Sequence, residues 1–251
     1  MKLERAYEIV MEERQLKAGT TGLIVFDIDD TLLQADSSVM GIIIKKFIES
    51  KGVWEQVDRQ SSEEFAKSQY KDENARPKPG YKFDYSEFRN PDKIKQSFFP
   101  TKTEDGKMSK GAKPIIANLR MMDSHLRAGY DVAFLTARGA ESDVFKNLME
   151  WLKYRKVNGQ IVDLRKEKFN LKDSRAVNDD KYAEEQKGMT DPQKKAEFLK
   201  RVCKKYSIVK FVDDDSKNVR DAKALGIPNL QVIQAQGIEH NERIQHRDAN
   251  K

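Results

Sequence analysis

The sequence predicts an α/β protein built on a doubly wound, Rossmann-like parallel sheet, and three observations predict it. Short apolar runs rich in β-branched residues alternate along the chain with stretches of helical periodicity. Two of those runs end directly in clusters of aspartate, which is where the strands of a parallel sheet present ligand-binding groups. One long polar stretch, Lys51 to Lys113, interrupts the alternation after the first strand and reads as an insertion. With 251 residues and 38% hydrophobic side chains, the chain has enough apolar surface for one large core carrying such an insertion.

In order, residues 3–17 have helical composition and are expected to pack a helix on the core before the first strand at 22–27. The strand Leu23-Ile24-Val25-Phe26 reads as buried on both faces. Met40 to Ile48, with Ile42, Ile43, Ile44, Phe47 and Ile48, fits either a buried helix or part of an inserted lid. From Lys51 to Lys113 the segment is polar and broken by Pro77, Pro79, Gly80, Pro91, Pro100, Gly106 and Gly111, so little core of its own is expected. The division that follows is a core of 1–35 and 114–251 with an inserted lid or cap at 36–113.

Pro114 reads as a first helical residue, followed by Ile115, Leu119, Met122 and Leu126 on one face. After Gly129 a strand from Asp131 to Leu135 runs into Thr136-Ala137-Arg138-Gly139. A helix over 142–155, a short strand from Gln160 to Leu164 and a polar loop over 165–190 come next. Asp191-Pro192 opens a helix with Phe198, Leu199, Val202, Cys203 and Tyr206 on its apolar side. The strand Ile208 to Val212 ends in Asp213-Asp214-Asp215, a helix runs to Leu225, and Leu230 to Ile233 is the last strand. Asp215 reads either as part of the acidic cluster or as a cap for the helix beginning near Ser216.

Parallel packing would bring the strand ends at Asp27, Thr136 and Asp213-Asp214 to one edge of the sheet. Several carboxylates around one point repel unless a cation joins them, and oxygen donors without cysteine or histidine favour magnesium. His125, His240 and His246 lie away from every motif, which leaves zinc and phosphohistidine chemistry unsupported. Lys194, at the start of the helix before the acidic strand, is expected to supply the remaining positive charge, offset the carboxylates and hold a phosphate.

On Asp27-Ile28-Asp29-Asp30-Thr31, then Thr136, Lys194 and Asp213-Asp214, the chain resembles the haloacid dehalogenase (HAD) superfamily of phosphohydrolases, over the whole core and in the expected order. The resemblance implies that Asp27 attacks phosphorus to form an aspartyl phosphate. It implies that Asp29 protonates the leaving oxygen and then deprotonates the hydrolytic water. It further implies that Mg2+ is held by Asp27, the backbone carbonyl of Asp29 and Asp214, with Asp213 behind them, while Thr136 and Lys194 bind phosphoryl oxygens. Thr31 is assigned to substrate binding with Arg138. Dehalogenases lack the second acid and transport ATPases carry threonine there, so Asp29 implies a phosphatase or a phosphomutase.

Within that superfamily the stretch KKAEFLKRVCKKYSIVKFVDD is similar to the phosphatase half of phage-type polynucleotide kinase-phosphatases, with a lysine-to-aspartate separation of 213 − 194 = 19. Arg138 matches an arginine kept there. It would grip the phosphate or the adjoining nucleotide backbone, or else pair with a nearby acid such as Glu141. No GxxxxGK[ST] loop is present, so no kinase half is expected.

The expected substrate is accordingly a phosphate ester, a nucleotide or a phosphorylated nucleic-acid end. A small-metabolite phosphatase and a non-catalytic HAD-fold binding module are the alternatives. Trp54, Phe65, Tyr70, Tyr81, Phe83, Tyr85 and Phe88 either stack on a base or give a small lid its core, and the second reading is preferred. Lys102, Lys107, Lys110 and Lys113, and the run Arg165, Lys166, Lys168, Lys172 and Arg175, either track a phosphate backbone or form solvated faces.

A formal charge of +6, from 47 basic and 41 acidic residues, favours anionic substrates mildly. The lone Cys203 rules out an internal disulfide and fits a buried, inert thiol in a reducing compartment. The charged amino terminus and the lack of any membrane-length apolar run predict a soluble, cytoplasmic protein with no membrane association; no obligate protein partner is inferred.

Overall fold

A computed structural model describes residues 16, 19–36, 39–61, 64–65, 67–72, 77–102, 106, 108–157, 160–161 and 169–235. The helix expected over 3–17 falls almost wholly outside them, as do Lys107, Arg165, Lys166, Lys168, His240 and His246.

The core strands are β1 (Gly22–Phe26), β7 (Asp131–Thr136), β10 (Arg175–Ala176), β11 (Ile208–Asp213) and β12 (Leu230–Gln234), all parallel, in the spatial order β10-β7-β1-β11-β12. The chain builds outward from β1 to β7 and β10, then returns to the other side of β1 for β11 and β12. This is the Rossmann-like winding, and its order reverses between β1 and β11.

Strand β1 shows how the two faces are filled. Ile24 and Phe26 belong to one apolar cluster, with Leu119, Met122 and Leu126 of helix α2 (Ile116–Ala128) and Val144, Phe145, Leu148 and Trp151 of helix α3 (Glu141–Leu152). Leu23 and Val25 belong to the other, with Phe198, Leu199 and Val202 of helix α4 (Asp191–Cys203) and Ala222 of helix α5 (Ser216–Ala224). Successive side chains of a strand point to opposite faces, so a run apolar at every position must be covered on both.

The inserted segment leaves the core through β2 (Leu33–Gln34) and returns through β6 (Lys113–Pro114), which pair antiparallel as Leu33↔Pro114 and Gln34↔Lys113. Pro114 therefore lies in a short strand, and the helix begins two residues later at Ile116. Between these strands lies a three-stranded antiparallel sheet of order β4-β3-β5, from β3 (Ile42–Ile48), β4 (Val53–Gln60) and β5 (Tyr81–Asp84). Of the two readings of Met40 to Ile48, the helix is thus excluded. The run Ile42-Ile43-Ile44 is β-branched, which suits a pleated surface, and Ile42 and Ile44 are buried while Ile43 is only partly so.

The segment also has a small core of its own, contrary to expectation. The Phe65 ring meets Phe83 edge-on at 4.7 Å, and Tyr70 and Tyr81 lie 5.2 Å apart. Helix α1 (Pro91–Phe98) is started by Asn90, whose side chain accepts from the N–H groups of Asp92 and Lys93. Its Ile94 and Phe98 are fully buried in the main core cluster.

Two further expectations are corrected. Gln160–Ile161 forms β9, paired antiparallel with β8 (Lys156–Val157) in a separate two-stranded ribbon rather than in the main sheet. The expected polar loop over 165–190 contains β10 and two 3-10 turns, Leu171–Asp173 and Asp180–Tyr182. Two residues are too short a run to show strand periodicity, yet Ala176 and Val177 are buried and the Val177 N–H donates to the Thr136 carbonyl at 2.9 Å. Among the described residues no helix is long and apolar enough to cross a membrane.

Candidate active site

The β1/β11 switch point carries the acids. The Asp27 N–H donates to the Val212 carbonyl at 2.9 Å, extending the β1–β11 ladder one residue, so that Asp27 and Asp213 stand side by side at the carboxyl ends of adjacent strands. Asp27 is buried and Asp213 fully so. One carboxylate oxygen from each of Asp27, Asp213 and Asp214 lies within 4.8 Å of the others.

The cation among them is Lys195, not Lys194. Lys195 Nζ donates to Asp27 Oδ1 and to Asp213 Oδ2, both at 2.8 Å, with its side chain buried. Lys194 instead contacts Asn178 Oδ1 and Asp191 Oδ1. One residue on a helix is a rotation of about 100°. The buried side of α4 runs Lys195, Phe198, Leu199, Val202, so the lysine facing the sheet is the one three and four residues before that apolar stripe. That spacing was the signal, and it makes the separation from the acid 213 − 195 = 18.

Asp213 is saturated by the protein. Besides Lys195, it accepts from Asn218 Nδ2 at 3.0 and 3.1 Å and from the Asp215 N–H at 2.9 Å. Asn218 had no sequence signal beyond its place one turn into α5. Asp215 caps that helix, accepting from the Lys217 N–H at 2.7 Å. Asp27 and Asp214 each keep one oxygen with no hydrogen bond to a described residue, since Asp27 commits Oδ1 to Lys195 and Asp214 commits Oδ1 to Thr31.

Thr31 is fully buried. Its hydroxyl donates to Asp214 Oδ1 at 2.9 Å and accepts from the Asp214 N–H at 3.1 Å, while its carbonyl accepts from Asn118 Nδ2 at 2.7 Å. It orients Asp214 and has no surface to offer a substrate, which corrects the expected binding role. The turn between is tight: Asp30 adopts a left-handed φ of 55°, and its N–H donates to the Leu33 carbonyl at 2.8 Å.

Thr136, at the end of β7 beside β1, is buried, and its hydroxyl accepts from the Arg138 N–H at 3.2 Å. Arg138 makes a two-pronged contact with Asp29, Nε to Oδ2 at 2.8 Å and Nη2 to Oδ1 at 2.6 Å. Of the two sequence readings of Arg138, the ion pair holds, but with Asp29 rather than Glu141. Glu141 accepts from the Ala176 N–H and from Lys181. The third prong, Nη1, donates to Ser97 Oγ of α1 at 2.9 Å, and the guanidinium lies 4.8 Å from the Phe98 ring centroid. Ser97 and Phe98 thus link the inserted segment to Asp29, a connection between distant stretches that no local pattern signals.

Three carboxylates against one buried ammonium leave the cluster short of positive charge. Burial pushes the Asp27 carboxyl well above the usual carboxylate range, with Lys195 opposing and Asp213 reinforcing the rise. Burial raises Asp214 likewise, against the Thr31 hydrogen bond. Burial works against the charge of Lys195, but Asp27 and Asp213 outweigh it and hold the ammonium's pKa above its ordinary value. Both directions describe a site that attracts cations, and an all-oxygen donor set suits a hard divalent ion such as Mg2+. His125 lies elsewhere, its Nδ1 2.8 Å from the Met121 carbonyl oxygen and its Nε2 3.2 Å from Lys210 Nζ.

A cavity of about 930 Å3 opens beside Asp29 and Arg138, walled on the other side by Met40, Ile42, Phe65, Tyr85, Phe88 and Arg89 of the inserted segment. Among the candidate basic contacts, Lys110 and Lys113 are exposed, but Arg175 is buried, stacked 3.9 Å from the Tyr182 ring centroid and paired with Glu185. It is therefore removed from any backbone-tracking role. No protein-family model matches the chain, and comparison with curated proteins gives no match.

Proposed function

We propose that the protein is a Mg2+-dependent phosphomonoesterase of the HAD type, working through an aspartyl-phosphate intermediate on nucleotides or phosphorylated nucleic-acid ends. The observation that carries the reading is the trio Asp27, Asp213 and Asp214 at the strand-order reversal with Lys195 bridging two of them. Asp27 and Asp214, each with an oxygen not committed to a described residue, would hold the metal, which when bound supplies charge stabilisation for the phosphoryl oxygens.

The remaining work belongs to the chain. Asp27 attacks phosphorus through a carboxylate oxygen, forming an acyl phosphate as the ester P–O bond breaks, and Lys195, hydrogen-bonded at Oδ1, fixes that carboxylate. The Asp29 carboxylate, ion-paired with Arg138, must first take up a proton from solvent; it gives that proton to the departing oxygen, then takes one from the water that attacks the acyl phosphate, releasing phosphate and restoring Asp27. The Arg138 fork sets the plane of the Asp29 carboxylate and leaves each oxygen a second lone pair for that proton.

Hydrolysis of p-nitrophenyl phosphate with and without Mg2+ tests the reading. Activity that requires the metal and disappears in Asp27→Asn supports it. Activity in Asp27→Asn equal to the unaltered protein overturns it.

A further inference from the structure

We infer that the substrate is a phosphorylated end of single-stranded nucleic acid, whose strand leaves the active site along the inserted sheet to a platform formed by Phe47, Trp54 and Lys82. This rests on the phosphatase reading and deepens it.

The path is continuous. The cavity at Asp29 and Arg138 shares Tyr85 and Arg89 with a second cavity of about 510 Å3, lined by Lys82, Phe83, Asp84, Tyr85, Ser86, Arg89 and Asn90. Lys82 belongs to β5, an edge strand, and the registers Lys45↔Lys82 and Phe47↔Trp54 put Lys45, Phe47, Trp54 and Lys82 on one face of the three-stranded sheet, opposite the face of Ile42 that lines the catalytic cavity, so a strand leaving that cavity reaches the platform around the β5 edge. The Phe47 and Trp54 rings lie 5.3 Å apart, and Lys82 Nζ stands 4.5 Å from the Trp54 ring centroid.

Those rings are not packed away. Phe47 is 38%, Trp54 40% and Tyr85 48% exposed, unlike the fully buried aromatics of the main core. Exposed rings interleaved with cations are what a single strand requires, with bases stacking on the rings and phosphates meeting the ammonium and guanidinium groups. The acid of the second cavity, Asp84, is paired with Lys45 at 2.6 Å, whereas Asp30, Asp36, Asp191 and Asp215 line the first cavity beside Asp29.

Arg89 is placed to meet the first phosphate beyond the reacting one. It lines both cavities, and its side chain lies against Gly139, where a Cβ would come within 2.8 Å of Arg89 Cγ. Its partner Asp180, 2.8 Å away, is largely exposed, so the pair is screened by water and exchanges readily for a phosphate. Arg138, by contrast, commits one donor of each of its three side-chain nitrogens to Asp29 or Ser97. A small sugar phosphate would use neither Arg89 nor the platform.

The test measures kcat/KM for terminally phosphorylated oligothymidylates of one, two, four and eight nucleotides, with p-nitrophenyl phosphate as the short reference. The expected result is a gain of about tenfold or more between the mononucleotide and a strand of about four nucleotides, the lower end of such site sizes. Trp54→Ala and Lys82→Glu are each expected to remove about fivefold or more of that gain and to leave p-nitrophenyl phosphate turnover unchanged. Equal rates at all lengths, or a length effect that survives both substitutions, overturns the inference while leaving the phosphatase standing. If no ester is hydrolysed, the phosphatase reading fails. Anisotropy of a fluorescein-labelled oligothymidylate then decides the strand path alone: binding weakened by Trp54→Ala supports it, and absent or unchanged binding overturns it.

Discussion

Replacing Lys195 with methionine strips Asp27 and Asp213 of the ammonium they share. Removing one partner of a buried charge cluster costs about 3–5 kcal/mol, so Lys195→Met is expected to lower the denaturant midpoint clearly and to abolish phosphate release. Lys194→Ala breaks contacts with Asn178 and Asp191 in the wall of the catalytic cavity, expected to cost about 1 kcal/mol, and to preserve turnover. Urea titration and initial rates on the two variants settle the assignment. The choice was legible in the sequence, but only in the helical phase of Lys195 with Phe198, Leu199 and Val202; counting residues from the acidic motif pointed one position away. Cys203 is only partly buried, less than its place on the apolar side of α4 predicts. Burial pushes its thiol up to about 11, so at pH 8 only about one thiol in a thousand is ionised. Its reaction with a thiol reagent at pH 8 is expected to be about a hundredfold or more slower in the folded protein than in urea, and the folded rate should still be climbing at pH 10.

The strands of the main sheet were readable because each is an apolar run bounded by a glycine or an acid; β10 was not, since two residues carry no periodicity. Helix α1 shows a second limit. Asn90-Pro91 announces its start, but nothing local says that Ser97 and Phe98 reach Arg138. Ser97→Ala leaves a buried guanidinium N–H without its acceptor, a loss of about 1–3 kcal/mol, and frees the fork that orients Asp29. The expected outcome is a lower kcat with little change in KM for p-nitrophenyl phosphate, measured alongside the thermal midpoint; Ser97→Thr, which keeps the hydroxyl, should recover most of the rate. At the neighbouring loop, Gly139→Ala forces a methyl against Arg89 Cγ and the Asn178 carbonyl. Overpacking of this kind costs about 1–3 kcal/mol, and it is expected to displace Arg89 and raise KM for long substrates more than for short ones.

Across the whole molecule, the parallel α/β core followed from pattern alone, whereas the internal architecture of residues 36–113 did not. Short antiparallel strands with mixed polarity, broken by several prolines and glycines, resemble loop composition until their pairing is seen. The inserted segment is fixed to the core by the β2–β6 pair and by Val39, Met40, Ile94, Phe98 and Ala112, all buried in the main core cluster. Strands β3 to β5 stand among those anchors like a bolted bracket. Asp27, Asp213, Asp214 and Lys195 lie entirely outside that bracket, on the core strands and α4. On the proposed reading, changes in residues 42–84 would therefore alter which molecules reach the acidic cluster, in the laboratory or over generations of descent, without touching those four residues.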